Sequence, residues 1–170
     1  MSWQPQVTIR RMAVSDVEAV HALDEQSFPL PWPKNSYYFE LRENPASRCW
    51  VAEVETPTGE KKLAAMLVLW LILDEAHIAT LAVHPDERRR YIGQHLLACA
   101  LLDASKEGAQ CSFLEVRRGN AAAQALYYRF GYEVTSVRSR YYRDNGEDAL
   151  LMTLYEIQPQ RLENLLTESS

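Results

Sequence analysis

Three consecutive arginines, Arg88-Arg89-Arg90, stand just ahead of a segment whose helical periodicity begins near Ile92. The start of a helix carries partial positive charge and N–H groups without intrahelical acceptors, so cations are disfavoured there unless an anion shares the spot. A phosphate would resolve the conflict. Gly93 points the same way, because a glycine early in a helix costs about 1 kcal/mol relative to alanine and is explained by close approach of another group to its backbone. The competing reading gives the arginines Asp86 and Glu87 as partners and makes the run a solvated turn. A second residue out of keeping with its place is Glu115, in Phe113-Leu114-Glu115-Val116-Arg117. With Leu114 and Val116 on one face of a strand, Glu115 shares the other with Phe113, and a carboxylate central in a sheet is costly unless paired or used. A bridge to Arg117 or another arginine is the structural alternative.

The elements that must position these groups are legible in outline. Val7–Met12 reads as a strand, and Ser15 opens a helix to about Gln26 with the capping-box spacing Ser15-x-x-Glu18. Phe28-Pro29-Leu30-Pro31-Trp32-Pro33 is too rich in proline for regular helix and reads as a stiff apolar loop before a short helix, Asn35–Arg42. Cys49–Glu55, Lys62–Leu73 and Ala76–Val83 form a predicted antiparallel meander, turning at Thr58-Gly59 and Asp74-Glu75. From Ile92, the positions Leu96, Leu97, Ala100, Leu101 and Ala104 make one apolar helix face, directed away from Gln94, His95, Asp103 and Lys106. Then follow a strand (Cys111–Arg117), a helix ended by Gly131 (Ala121–Phe130) and two strands (Tyr132–Ser139, Ala149–Glu156), with a short surface helix expected beyond Pro159. The strand-helix-strand passage through Ile92 requires a parallel pair, so the expected fold is a mixed α/β sheet, mostly antiparallel, flanked by helices.

Composition limits the functions open to such a domain. The 170 residues are 47% hydrophobic and 24% charged, which fits one globular domain, here with its core over about 7–156 and residues 157–170 as a tail. The longest apolar run, Leu63–Leu73, falls short of the roughly 20 residues of a membrane-spanning helix. The start Met1-Ser2-Trp3-Gln4-Pro5 has neither basic residues nor an apolar signal core, so the expectation is a cytoplasmic protein without membrane attachment. A net charge of −5 argues against a broad grip on nucleic acid. Cys49, Cys99 and Cys111 form no Cys-x-x-Cys pair and read as buried fillers, and the four histidines form no helical metal-binding pair, so no metal is expected.

With these residues in view, the chain resembles the GNAT superfamily of acyl-CoA-dependent N-acetyltransferases. The family's pyrophosphate loop, Gln/Arg-x-x-Gly-x-Gly/Ala, stands here as Arg88-Arg89-Arg90-Tyr91-Ile92-Gly93, with Tyr91 at the first glycine position. Phe113-Leu114-Glu115-Val116-Arg117, Asn120-Ala121-Ala122-Ala123, Ala125-Leu126-Tyr127 and Phe130-Gly131-Tyr132 follow in the order and spacing of its RimI-like branch, which acetylates protein N-termini. Asp74-Glu75-Ala76, Leu81-Ala82-Val83 before His84-Pro85, the early Phe28-Pro29 with Pro31-Trp32, and Arg138-x-x-Tyr141-Tyr142 are similar too. The likeness spans about Ile9 to Leu154.

The resemblance implies acetyl-CoA as co-substrate and a role for each residue. Leu81, Ala82 and Val83 would lie along the pantetheine arm, with Leu81 and Val83 pairing their backbone groups to it. Arg88, Arg89, Arg90, Tyr91, Ile92, Gly93 and Gln94 would surround the pyrophosphate, Tyr91 offering its N–H from a helical conformation. Asn120 would hold the cofactor arm, a task compatible with capping the helix that follows. Glu115 would be the general base, and Tyr127 would protonate the leaving thiolate, the alternative for Tyr127 being a core packing role. Trp32, Asp74, Glu75 and Tyr141 with Tyr142 would line a groove for a peptide acceptor, the alternatives being an ordinary hairpin turn for the two acids and an apolar strand end for the tyrosines; the implied acceptor is the N-terminal alanine of a small-subunit ribosomal protein. Acetylation of a small amine or a lysine, or a non-catalytic acyl-CoA-binding module, are the rival readings.

Overall fold

The computed structural model describes residues 5–169, so Met1–Gln4, read above as free of an export signal, lie outside the described residues. Strands β1 (Val7–Arg11), β2 (Ser47–Glu55), β3 (Lys61–Ile72) and β4 (Glu75–Val83) pair antiparallel in chain order. Strand β5 (Cys111–Arg117) runs parallel to β4, and β7 (Ala149–Leu154) inserts between β5 and β6 (Glu133–Arg138). The sheet is therefore mixed and mostly antiparallel, in the order β1-β2-β3-β4-β5-β7-β6.

The sheet divides the core. Helices α3 (Ile92–Lys106), α4 (Ala121–Phe130) and α5 (Pro159–Thr167) contribute to a larger cluster with Leu67, Leu69, Leu114 and Val116. Helices α1 (Val17–Ser27) and α2 (Lys34–Arg42) build a smaller one with Met66, Val68 and Ala82. Burial on both faces explains why β3 reads as an unbroken apolar run instead of an alternating one.

Several local expectations are revised. Asp16, not Ser15, organises the start of α1: residues Val14–Asp16 form a 3-10 turn, and the Asp16 carboxylate accepts from the Ala13 amide at 2.7 Å while Arg10 clasps it with two bonds of 2.8 Å. That guanidinium holds the Asp16 carboxyl below its ordinary range. The β3–β4 turn is Leu73-Asp74, with Leu73 in the left-handed region (φ 56°), and Glu75 already pairs with Ile72. Residues 157–167 are no mere tail, because Ile157, Leu162 and Leu165 are buried in the larger cluster and α5 packs on α3. Of the cysteines, Cys49 is buried, whereas Cys99 and Cys111 are only partly so. The predicted ends of α4 hold: Asn120 Oδ1 accepts from the Ala123 amide at 3.1 Å, and Gly131 closes the helix at φ 97°.

Candidate active site

The parallel pair of strands is joined only at its beginning. Pairing between β4 and β5 runs from Glu75 with Cys111 to Ile78 with Leu114 and stops there. Beyond that point β4 follows β3 as far as Val83, and β5 follows β7 as far as Arg117. A bulge explains the parting, since Val68 pairs with Thr80 and Leu69 with Ile78, leaving Ala79 as the extra residue that bends β4. The edge of β4 from Thr80 to Val83 thus lacks a strand neighbour on the β5 side, and unpaired backbone groups of this kind bind an extended chain. Leu81 and Val83 pack at the margin of the larger cluster, while Ala82 is buried in the smaller one.

After Val83, His84 caps one 3-10 turn, its Nδ1 accepting from the Asp86 amide at 3.1 Å. Glu87 pairs with Arg90 at 3.0 Å, whereas Asp86 lies nearest His84 and Lys62, at 3.8 and 3.9 Å. Arg88 reaches the Val83 carbonyl at 3.4 Å, and neither it nor Arg89 pairs with a carboxylate among the described residues. Neutralisation by neighbouring acids therefore accounts for one arginine of three. Arg89 and Tyr91 adopt left-handed conformations (φ 64° and 60°), a pattern that gathers amide N–H groups around an anion. Glycine is the residue that occupies such a position without steric cost, which makes Tyr91 costly there. Its ring stacks with His95, centroids 6.4 Å apart, and Arg129 lies 5.9 Å from it. By helix geometry the amides of Ile92, Gly93 and Gln94 have no intrahelical acceptor.

Two loop residues also serve packing. A Cβ on Gly93 would stand 3.0 Å from Val83 Cγ2 and 3.7 Å from Leu126 Cδ2, so protein already occupies the side of Gly93 where a side chain would go. The Gln94 side chain, expected to face solvent, is buried: it donates to the Leu165 carbonyl at 2.8 Å and to Glu168 at 3.0 Å, and accepts from Arg129 at 2.9 Å.

Glu115 is the residue after the last β4–β5 pair, on the same sheet face as Phe113 and exposed. Its Oε1 lies 3.5 Å from Arg138 Nη1, a contact between largely solvated groups that contributes little to stability. Arg117 is engaged elsewhere, bonding Asp144 at 3.0 Å and Glu147 at 3.3 Å. Tyr127 is buried on the opposite face, in the larger cluster, its ring edge-on to Tyr132 at 5.7 Å. The Tyr132 hydroxyl bonds Ser112 Oγ at 2.7 Å, whereas no group among the described residues bonds the Tyr127 hydroxyl. Burial raises the Tyr127 phenol well above its ordinary range, with a smaller push from Tyr142, so it keeps its proton at neutral pH. Tyr128, one residue on, is exposed.

Of the four residues expected on the acceptor side, Trp32, Glu75 and Tyr141 are linked to the face that bears Glu115, and Asp74 sits in a turn. The guanidinium of Arg138 lies 5.4 Å from the Tyr141 ring, which links Tyr141 to Glu115. Trp32 stacks on Trp70 (6.3 Å, 17°) beside a groove of about 390 Å³, and Trp70 pairs in register with His77, whose ring stacks on Phe113 at 5.3 Å. Glu75 bonds His77 at 2.9 Å. It is level with Cys111, four residues and about 13 Å short of Glu115. Asp74 sits in the hairpin turn, where its carbonyl accepts from the Gln110 amide at 2.7 Å. Arg138, given no role from the sequence, joins the site through the fold, and Tyr142, expected with Tyr141 in the acceptor groove, is half-buried, its phenol raised by burial and, more weakly, by nearby Glu115 against the opposing charge of Arg117. Among the described residues no three His, Cys, Asp or Glu side chains group as a metal site, and no helix is long and apolar enough to cross a membrane.

The seven-stranded sheet, the parting of β4 from β5 and the loop ahead of α3 define an acyl-CoA N-acyltransferase. The model of the acetyltransferase (GNAT) family matches residues 17–132, more than half of the chain, which therefore belongs to that family as an N-acetyltransferase. The ribosomal protein bS18-alanine N-acetyltransferase of Escherichia coli K12 is 32% identical over 149 residues, 86% of this chain and 96% of its own. A Bacillus subtilis protein provisionally given the same name is 37% identical over 144 residues, 85% of this chain and 92% of its own. The crystal structure of the Escherichia coli ribosomal-protein-S18-alanine N-acetyltransferase superposes with a TM-score of 0.78 at 30% identity, covering 90% of this chain and 95% of that one.

Proposed function

We propose that this protein transfers acetyl from acetyl-CoA to the α-amine of a protein N-terminus, with the N-terminal alanine of a bS18-type ribosomal protein as its acceptor. The observation that carries the reading is the position of Glu115, one residue past the closed end of the gap between β4 and β5. The substrate class follows from the two relatives that carry that activity in their names and match along nearly their whole length. A ribosomal acceptor and acetyl-CoA meet in the cytoplasm, and the proposal therefore includes a cytoplasmic enzyme.

The site has the parts such a co-substrate needs. The free edge of β4, with Leu81 and Val83, suits an extended amide-bearing arm, and the Asn120 oxygen caps α4 while its side-chain NH2 has no partner among the described residues. The loop from Arg88 to Gln94 suits a diphosphate, with two arginines that no carboxylate among the described residues engages.

Each chain residue then has a defined task. An α-amine with a pKa of about 7.7–8.0 is partly neutral in the cell, whereas a lysine near 10.4 is not. Glu115, directly or through one water, removes the proton the amine must lose as its nitrogen bonds to the acetyl carbon. A backbone N–H of β4 near Val83 stabilises the negative charge developing on the acetyl oxygen. As the carbon–sulfur bond breaks, Tyr127 gives its proton to sulfur and recovers one from solvent. Trp32, Asp74, Glu75 and Tyr141 supply the acceptor side, the two acids drawing a cationic N-terminus toward the face that bears Glu115.

Mass spectrometry of N-terminal peptides incubated with the enzyme and acetyl-CoA tests this reading. Acetylation confined to α-amines and strongest on alanine-started peptides is expected; acetylation of lysines or small amines alone, or none despite acetyl-CoA binding, would overturn it.

A further inference from the structure

We propose that Arg117 is the positioning residue that fixes the acceptor-side wall of the site, the loop Ser139–Asp148 between β6 and β7. The inference rests on the reading above that Glu115 meets the acceptor amine. Arg117 lies two residues beyond Glu115 on the same strand and the same face, with its guanidinium 3.8 Å from the Tyr142 ring. It bonds Asp144 at 3.0 Å, Glu147 at 3.3 Å and, at 3.5 Å, Asn145, so with Tyr142 one side chain gathers four residues of the loop. The other oxygen of Glu147 accepts from the Gly119 amide at 2.6 Å, and a Cβ at Gly119 would stand 2.5 Å from that oxygen, so a side chain there would displace the Glu147 carboxylate. Arg118 pairs with Asp148 at 3.4 Å, and Asp148 accepts from the Arg140 amide at 3.0 Å.

These contacts do more than close a surface loop. The loop carries Tyr141 and Tyr142, the first against Arg138, which contacts Glu115, and the second against Arg117 itself. Ordering a loop of this length has a large entropic cost. Arg117 is only 15% exposed and its two carboxylate partners 22%, so the ion pairs are screened less than ordinary surface pairs. Because β5 holds both Glu115 and Arg117, one rigid element sets the spacing between the base and the wall against which an acceptor is laid. Rigid support of this kind determines how well a reactant is oriented.

The test uses the full-length enzyme with Arg117→Gln, Arg117→Lys and the loop-side double variant Asp144→Asn/Glu147→Gln, which leaves β5 intact. Two readouts are taken: hydrogen exchange across residues 139–148, and steady-state kinetics with an alanine-started peptide and acetyl-CoA. Arg117→Gln and the double variant should speed exchange in that segment and raise peptide KM, each about tenfold, with kcat and acetyl-CoA affinity within about twofold of wild type. Arg117→Lys should recover part of the KM. Unchanged exchange in the loop, or kcat and acetyl-CoA affinity falling as KM rises, overturns the proposal. A wild-type enzyme inactive on every α-amine overturns the functional reading instead, and the exchange arm still decides whether Arg117 holds the loop.

Discussion

Ile78 and Leu114 form the last pair between β4 and β5, and from that pair onward the two parallel strands belong to different neighbours. The bulged Ala79 follows Ile78 on one strand and Glu115 follows Leu114 on the other, so the feature that opens the sheet and the carboxylate exposed at the opening are set at one level. Glu115 stands on one face of the sheet and Tyr127 is packed under the other. In the roles proposed for them, two groups so divided can serve the two ends of one reaction, the incoming amine and the departing sulfur, without exchanging a proton with each other.

Replacing Glu115 by Gln should lower kcat by about 10²-fold, within the range general-base groups contribute. The loss should be greatest below about pH 7.7, where most of the α-amine is protonated, and shrink as pH rises. A pH series of initial rates checks this, and a rate unchanged at every pH removes Glu115 as the base.

Tyr127→Phe deletes a hydroxyl that no described residue bonds and leaves the edge-on contact with Tyr132 in place. Turnover should fall by about 10- to 100-fold while melting temperature and acetyl-CoA affinity stay near wild type. Parallel loss of affinity and stability would return Tyr127 to a packing role.

At Tyr91 the left-handed backbone sets the expected order of variants. Tyr91→Gly should bind acetyl-CoA at least as tightly as wild type, whereas Tyr91→Val should lose about 1–2 kcal/mol of stability, since a branched side chain is poorly tolerated there. Thermal melts with and without acetyl-CoA separate the two, and equal behaviour of both variants would sink the proposed loop geometry.

Gly93→Ala places a methyl 3.0 Å from Val83 Cγ2 and should push α3 and the end of β4 apart. We expect up to about 2 kcal/mol of net destabilisation, the cost of overpacking offset in part by alanine's better helix propensity, together with weaker acetyl-CoA binding. Val83→Ala in the same chain removes the offending methyl, and recovery in the double variant confirms the contact.

Asp24 gives a pH signature. Burial raises its carboxyl above the ordinary 3.8, outweighing the hydrogen bonds it accepts from Tyr37 (2.5 Å) and the Trp32 amide (3.0 Å). A group whose folded pKa is raised favours the folded state while protonated, and that contribution is lost as pH climbs from the unfolded value through the folded one. Both bonds end on one oxygen, so Asp24→Asn can keep them without the charge. The variant's stability relative to wild type should increase across that window above pH 3.8 and level off beyond it, as melts over a pH series will show.

The order of strands and helices, the family and the arginine loop were legible in the sequence because each is local: β3 announces itself by its apolar run, α3 by its period, α4 by Asn120 and Gly131 at its ends. Glu115 stands out for the same reason, as a carboxylate central in a strand whose alternation places it opposite Leu114 and Val116. What surrounds it was decided by contacts distant in sequence. Arg138 reaches Glu115 because β7 inserts between β5 and β6, and Arg117 holds Tyr142, Asp144 and Glu147 only when that loop folds back over the end of β5. The burial of Gln94 likewise depends on α5, some 70 residues away, arriving over α3. Periodicity reports which face of an element is apolar; it carries no information on which distant element will cover that face, and the tertiary structure alone settles it.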